Sequence, residues 1–142
     1  MGAARGTIAG DAAMSPNATE SKLAEVREQL EKREPIFHRP EFGTTRRDFE
    51  NMTDANFQEV GASGRRYSRD YVIDLLVERH SAPFDDVWET REFQCLRLGP
   101  DTYLLTYTLV QNRTRVTRRA TIWRNTQEGW KILYHQGTLV EP

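Results

Sequence analysis

Apolar positions recur along this chain with two different periods. As far as Val77 they fall three or four residues apart, and after Pro83 they alternate. The first spacing stacks side chains on one face of a helix, the second on one face of a strand. Leu23, Val26 and Leu30, separated by Lys, Glu, Arg and Gln, predict an amphipathic helix of about four turns. Ser15 and Pro16 supply its cap and first residue, and Pro35 ends it near Glu34. The loop HRPEFGTT leads to a short helix, RRDFENM, with Thr45 as its cap and Phe49 and Met52 facing inward. Phe57 and Val60 bound a short strand, Gly61 and Gly64 supply turn conformations, and Tyr67 closes a small hairpin. Ser68 caps a third helix, which turns Val72, Ile73, Leu76 and Val77 to one face. Asp70 sits in its first turn, where the helix dipole favours an anion.

The remainder reads as strands. Val87 to Leu98 is followed by the turn Gly99-Pro100-Asp101. In TYLLTYTLVQ, Tyr103, Leu105, Tyr107 and Leu109 alternate with Leu104, Thr106, Thr108 and Val110, so both faces are apolar or Thr-rich and both are expected to be covered. Gln111-Asn112-Arg113 turns into TRVTRRATIWRN, and TQEG turns into WKILYHQGTLV. Four long strands joined by short turns make an antiparallel meander. The fold class is therefore α+β, with three N-terminal helices packed in a curved antiparallel sheet. Helices can bury one sheet face. The other wants a partner, and a second copy of the chain is the simplest, so a homodimer through the sheet is expected.

With 142 residues, one domain over 17–142 is expected behind a small, polar, flexible tail over 1–16. Three Trp, five Tyr and six Phe give large burial units in a chain that is 37% apolar. A formal net charge of −1 steers the chain toward neither nucleic acid nor an acidic membrane. No apolar run approaches the ~20 residues of a membrane span. The N-terminus lacks the apolar stretch of a secretory signal, and position six is Gly6 rather than the Ser or Thr of a myristoylation site. The expected location is cytoplasmic. The single cysteine, Cys95, reads as a small buried apolar residue, and His38, His80 and His135 lack paired metal-ligand spacing; no metal and no cofactor is expected.

Three segments carry a resemblance: Phe57 to Arg65 (FQEVGASGR), Arg119 to Arg124 (RATIWR), and Gly129-Trp130-Lys131 with His135-Gln136-Gly137-Thr138. Together with the element order, they resemble the nuclear transport factor 2-like superfamily, which includes SnoaL-like and ketosteroid-isomerase-like proteins. Within it they resemble the branch called domain of unknown function 4440, over about residue 20 to the end. The resemblance implies a cone, the cystatin-like arrangement in which a curved sheet wraps the helices, an apolar pocket opens at the wide end, and two sheets often pack as a dimer. The fold hosts both enzymes and non-enzymatic modules, so it does not settle function.

Glu59, beside two glycines, can present a carboxylate to an apolar cavity, where desolvation raises its pKa toward useful base strength. It can equally bond amides in its own turn. Arg119, Thr121 and Trp123 share one strand face. If the TQEG turn pairs Arg124 with Trp130, Arg119 falls opposite His135. That pair is either an anion-binding wall with a switchable His or a structural pair in the sheet or at the dimer seam, with Glu59 or another acid neutralising Arg119. Tyr107 can line a pocket or fill the core. The basic run Arg113, Arg115, Arg118, Arg119 and Arg124 points to both faces, and Asp85, Asp86, Glu89 and Glu92 can pair across it, so it is no nucleic-acid stripe. Glu59 and His135 are thus the candidate catalytic residues, and Arg119, Thr121, Trp123 and Tyr107 the candidate ligand contacts. The function expected is binding of a small apolar or carboxylate-bearing molecule, with an isomerase- or lyase-like enzyme as one form of it. The alternative is a non-catalytic dimeric ligand-binding or assembly module.

Overall fold

The computed structural model describes residues 16–82 and 86–141. The expected tail over 1–16 falls almost entirely outside these, as do Ser15 and Asp85. Helix α1 spans Pro16–Glu31, α2 Arg46–Met52 and α3 Arg69–Arg79. The strands are β1 Thr53–Val60, β2 Arg66–Ser68, β3 Trp88–Gly99, β4 Thr102–Gln111, β5 Arg115–Thr126 and β6 Gly129–Leu139.

Local chemistry sets the helix ends. α1 stops before Glu34, where the amides of Arg33 and Glu34 both close back on the carbonyl of Leu30. The Thr45 hydroxyl accepts from the Asp48 amide while the Asp48 carboxylate accepts from the Thr45 amide, a reciprocal capping box. Ser68 accepts from the Tyr71 amide and starts α3. In the hairpin between β1 and β2, Gly64 holds φ +89°, a region that side-chain-bearing residues rarely adopt.

The six strands form one sheet in the order β2-β1-β6-β5-β4-β3. Strands β3 to β6 make the expected antiparallel meander. One pairing departs from the antiparallel expectation: β1 runs parallel to β6, because the chain leaves β2 through α3 and crosses to the far edge before re-entering at β3. Register shifts interrupt β1, β3 and β6, and such bulges bend a strand and strengthen its twist. The curved sheet wraps the helices. Val26 and Leu30 of α1, Phe49 of α2, and Val72, Ile73 and Leu76 of α3 bury against Leu105, Leu109, Trp123 and Ile132 in one core. Cys95 is buried with them. This is the α+β cone expected from the sequence.

Among the described residues no element covers the opposite sheet face. Leu96 pairs with Leu104, Leu104 with Ile122 and Ile122 with Tyr134, so one apolar row crosses four strands on that face. Leu96 and Leu98 are more than half exposed. Beyond the row the face turns polar, where Glu92 accepts hydrogen bonds from Thr108 and Arg118.

Candidate functional site

The turn after β5 sets the register that builds the site. Asn125, not Arg124, pairs with Trp130, and a bulge after Ile132 adds a second one-residue shift. Thr121 therefore faces His135, and Arg119 faces Gly137. The expected direct pairing of Arg119 with His135 is thus corrected by two residues. An even shift preserves side-chain parity, so both residues still point to the inner face and meet as diagonal neighbours.

Arg119 Nη1 lies 3.2 Å from His135 Nε2. A guanidinium can only donate, so Nε2 is the acceptor and the ring proton sits on Nδ1. Nδ1 then donates to Thr121 Oγ1 at 2.7 Å. The Thr121 hydroxyl in turn bonds the carboxyl group of Glu34. Glu34 is fully buried and also accepts from Tyr107 Oη at 2.8 Å, Trp123 Nε1 at 2.9 Å and the Ile36 amide at 3.3 Å. Burial raises its pKa, and these bonds act against that rise. His135 is held neutral for the same first reason. Burial, then the nearby Arg119 charge, lowers its pKa to about 3. Both its ring nitrogens are occupied within the protein. Near neutral pH the ring is a fixed acceptor rather than the switchable partner expected from its type.

Above this chain of bonds lies a cavity of about 300 Å³. Glu59, Arg119 and His135 all line it, together with Glu34 and Tyr107. Glu59 arrives there because β1 pairs Glu59 with His135 on β6 and with Tyr67 on β2. Partial burial raises the Glu59 pKa, while the Arg119 and Arg79 charges pull it down. Tyr67 packs on Gly61, where a Cβ would stand 2.9 Å from its ring, and stacks on Tyr71 at 5.1 Å between centroids, giving the cavity an aromatic wall. Thr121 and Trp123 do not line the cavity. Glu34 fills the floor between them and the open space, so these two expected ligand contacts instead hold Glu34 and His135 in place.

Arg119 is bonded only by neutral groups. Besides His135, its Nε donates to Thr117 Oγ1 at 3.0 Å, and its Nη2 reaches Gln111 Oε1 at 3.5 Å. Glu59 acts on it through the field alone; among the described residues no carboxylate comes within 4.0 Å of its guanidinium. Glu59, expected as one acid that could neutralise Arg119, does so through the field and not through a direct ion pair. Three of the five N–H groups are used, leaving one on each Nη.

Sequence reasoning passed over Glu34, Gln111, Arg79 and Arg115. Gln111 had a signal, because it continues the inward series Tyr103, Leu105, Tyr107, Leu109. Glu34 had none, being one acid among several near a helix end. His38 bonds Asp86 at 2.7 Å, and His80 bonds the Phe37 carbonyl at 3.1 Å at the end of α3. The acids expected to face the basic run divide: Glu92 pairs Arg118 and Glu89 pairs Arg91.

No family model matches the chain, and no curated protein matches it. Solved structures do. A protein of unknown function from the DUF3225 family of Pectobacterium atrosepticum superposes with a TM-score of 0.61 at 20% identity, covering 84% of this chain and 91% of its own. An NTF2-like protein of unknown function from Pseudomonas aeruginosa gives 0.64 at 14% identity, covering 82% and 98%. An uncharacterised protein with a cystatin-like fold from Caulobacter vibrioides gives 0.61 at 15%, covering 86% and 90%. These likenesses establish the fold as nuclear transport factor 2-like. They carry no activity over to this chain.

The neutral state of His135 has a measurable sign. Below pH 6.5 the unfolded chain protonates this ring, while the folded chain resists until about pH 3. The residue therefore subtracts stability as pH falls through that window, by about 1.4 kcal/mol per pH unit. Glu34 and Glu59 have raised pKa values and act in the opposite sense, but they are common to wild type and to a His135→Gln variant. Denaturant melts of the two proteins from pH 7 to pH 4 should show wild type losing stability more steeply. Parallel curves would mean the ring is free to protonate.

Proposed function

We propose that this domain binds a small, largely apolar carboxylate in its cavity, with the acid group on Arg119. The observation that carries the proposal is the set of partners around Arg119. Among the described residues the partly buried guanidinium is held by Thr117, His135 and Gln111, neutral groups that orient its charge without an ion pair, and charge drawn from water without a direct partner is destabilising. A ligand carboxylate meeting the two remaining N–H groups supplies the match in a bidentate fork. Tyr67 and Tyr71 offer the apolar remainder an aromatic wall. The pieces that resemble the domain of unknown function 4440 branch contribute Glu59, Gly61, Ala62, His135 and Gly137 to this cavity, which favours that branch as the chain's place in the superfamily.

On this reading Glu59 is the acid or base of an isomerase- or lyase-like proton transfer, its carboxyl pKa raised by burial against the pull of Arg119 and Arg79. His135 is a positioning residue for Arg119. The alternative, a non-catalytic binding module, keeps the same ligand contacts and leaves Glu59 to tune affinity by repulsion. Calorimetric titration with benzoate as probe tests the shared core. Binding should weaken at least tenfold in Arg119→Gln, whose melting temperature should not fall, and strengthen in Glu59→Gln. Equal affinities in wild type and Arg119→Gln would overturn the proposal.

The apolar row Leu96, Leu104, Ile122 and Tyr134 supports a homodimer through the outer sheet face, since a second copy can lay the same row against it. Light scattering at micromolar concentration should give twice the chain mass, and Leu96→Glu should halve it. A single-chain mass for wild type would sink this assembly.

A further inference from the structure

Three guanidiniums line the cavity, Arg119 half-buried and Arg79 and Arg115 exposed. Arg115 Nη1 donates to Gln111 Oε1 at 2.8 Å, the same oxygen that Arg119 Nη2 approaches at 3.5 Å. One neutral amide oxygen thus draws two guanidiniums together at the cavity edge. Like charges brought this close repel each other, and Gln111 is uncharged. Arg79, at the end of α3, lines the same cavity, and its side chain makes no hydrogen bond or ion pair among the described residues. Against these three cations the lining offers two carboxyl groups. Glu34 is sealed beneath its four donors, which leaves Glu59 as the acid able to answer them from inside the cavity. The histidines of the lining add nothing to the negative side: His135 is neutral, and His38 is spoken for by Asp86. Arg79 and Arg115 are exposed and keep their water, so neither demands a counter-charge, but Arg115 stands beside the half-buried Arg119, and a ligand with a second negative charge can meet both guanidiniums.

Resting on the carboxylate reading above, we propose that the natural ligand is a small dianion, whose first acidic oxygens bind Arg119 and whose second charge lies against Arg115 where Gln111 brings the two guanidiniums together. A short dicarboxylate and a phosphate monoester share this chemistry, since both present two negative charges within a few ångströms and both accept forked N–H pairs. Arg79, opposite them, lies where it can attract the dianion into the cavity mouth.

The test compares three ring-matched probes by calorimetry at pH 7.5 and low salt: benzoate, phthalate and phenyl phosphate. At least one dianion should bind tenfold or more tightly than benzoate. Arg115→Gln should weaken the dianion far more than benzoate, erasing most of that gain, and Arg115→Lys, which keeps the charge, should retain part of it. Arg119→Gln should weaken all three. Whichever dianion gains names the class. Benzoate binding as tightly as both dianions would overturn this inference and leave the carboxylate reading intact, as would a dianion gain that survives Arg115→Gln. If benzoate and the dianions all fail to bind, the carboxylate reading falls and this inference with it. Because Arg115 is exposed, its variants should melt with wild type, so loss of affinity is separable from loss of fold.

Discussion

A fully buried carboxyl group with no basic partner among the described residues sits at the floor of the cone, and much of the structure is arranged to satisfy it. Glu34 lies just beyond α1, yet its donors come from elsewhere: Tyr107 from β4, Thr121 and Trp123 from β5, and the Ile36 amide from its own loop. Its backbone carbonyl is bonded twice by Arg39. Polar groups taken out of water must find partners inside, and those partners must hold their places. Glu34 therefore fixes the loop between the helices against two central strands. Removing its carboxyl would strand a buried indole N–H and a phenol, a heavier cost than losing one contact.

From that floor, the direction of each hydrogen bond follows from what its donor can do. Arginine has no acceptor, so His135 Nε2 must accept. Nδ1 must then donate, and the Thr121 hydroxyl is left free to donate to Glu34. The orientation of Arg119 is in this way tied, through His135 and Thr121, to the buried carboxyl group of Glu34. A neutral imidazole is essential to the arrangement. A charged ring beside Arg119 would place two cations in contact away from water. The site that results is preorganised: the guanidinium is braced on three sides by neutral atoms, and its free N–H groups do not depend on ligand arrival for their aim.

Much of the architecture was legible because it rests on periodicity and local caps. Thr45 and Ser68 are short-range signals, and the alternation in β4 separates Tyr107 from Thr106 without reference to any other part of the chain. The parallel pairing of β1 with β6 was not legible, since it depends on the crossover from α3 to β3. The bulge in β6 was equally hidden. Its effect illustrates how parity protects an inference: the turn and the bulge each displaced the register by one, and His135 stayed on the side of Arg119. A single slip would have sent it to the outer face. Thr121 and Trp123 were placed on the correct face but at the wrong depth, because strand alternation gives direction and not what fills the space in front. The occupant of that space, Glu34, comes from a segment whose conformation no period describes.

The central claim is that Arg119 is presented to the cavity with its charge unmatched by protein. A crystal structure of the chain grown with benzoate examines this directly. The account predicts the carboxylate on the two Nη atoms of Arg119, the ring against Tyr67 or Tyr71, and the His135 and Thr117 contacts unchanged. A structure in which Arg119 is ion-paired to Glu59, with the probe absent from the cavity or bound away from the guanidinium, would contradict it.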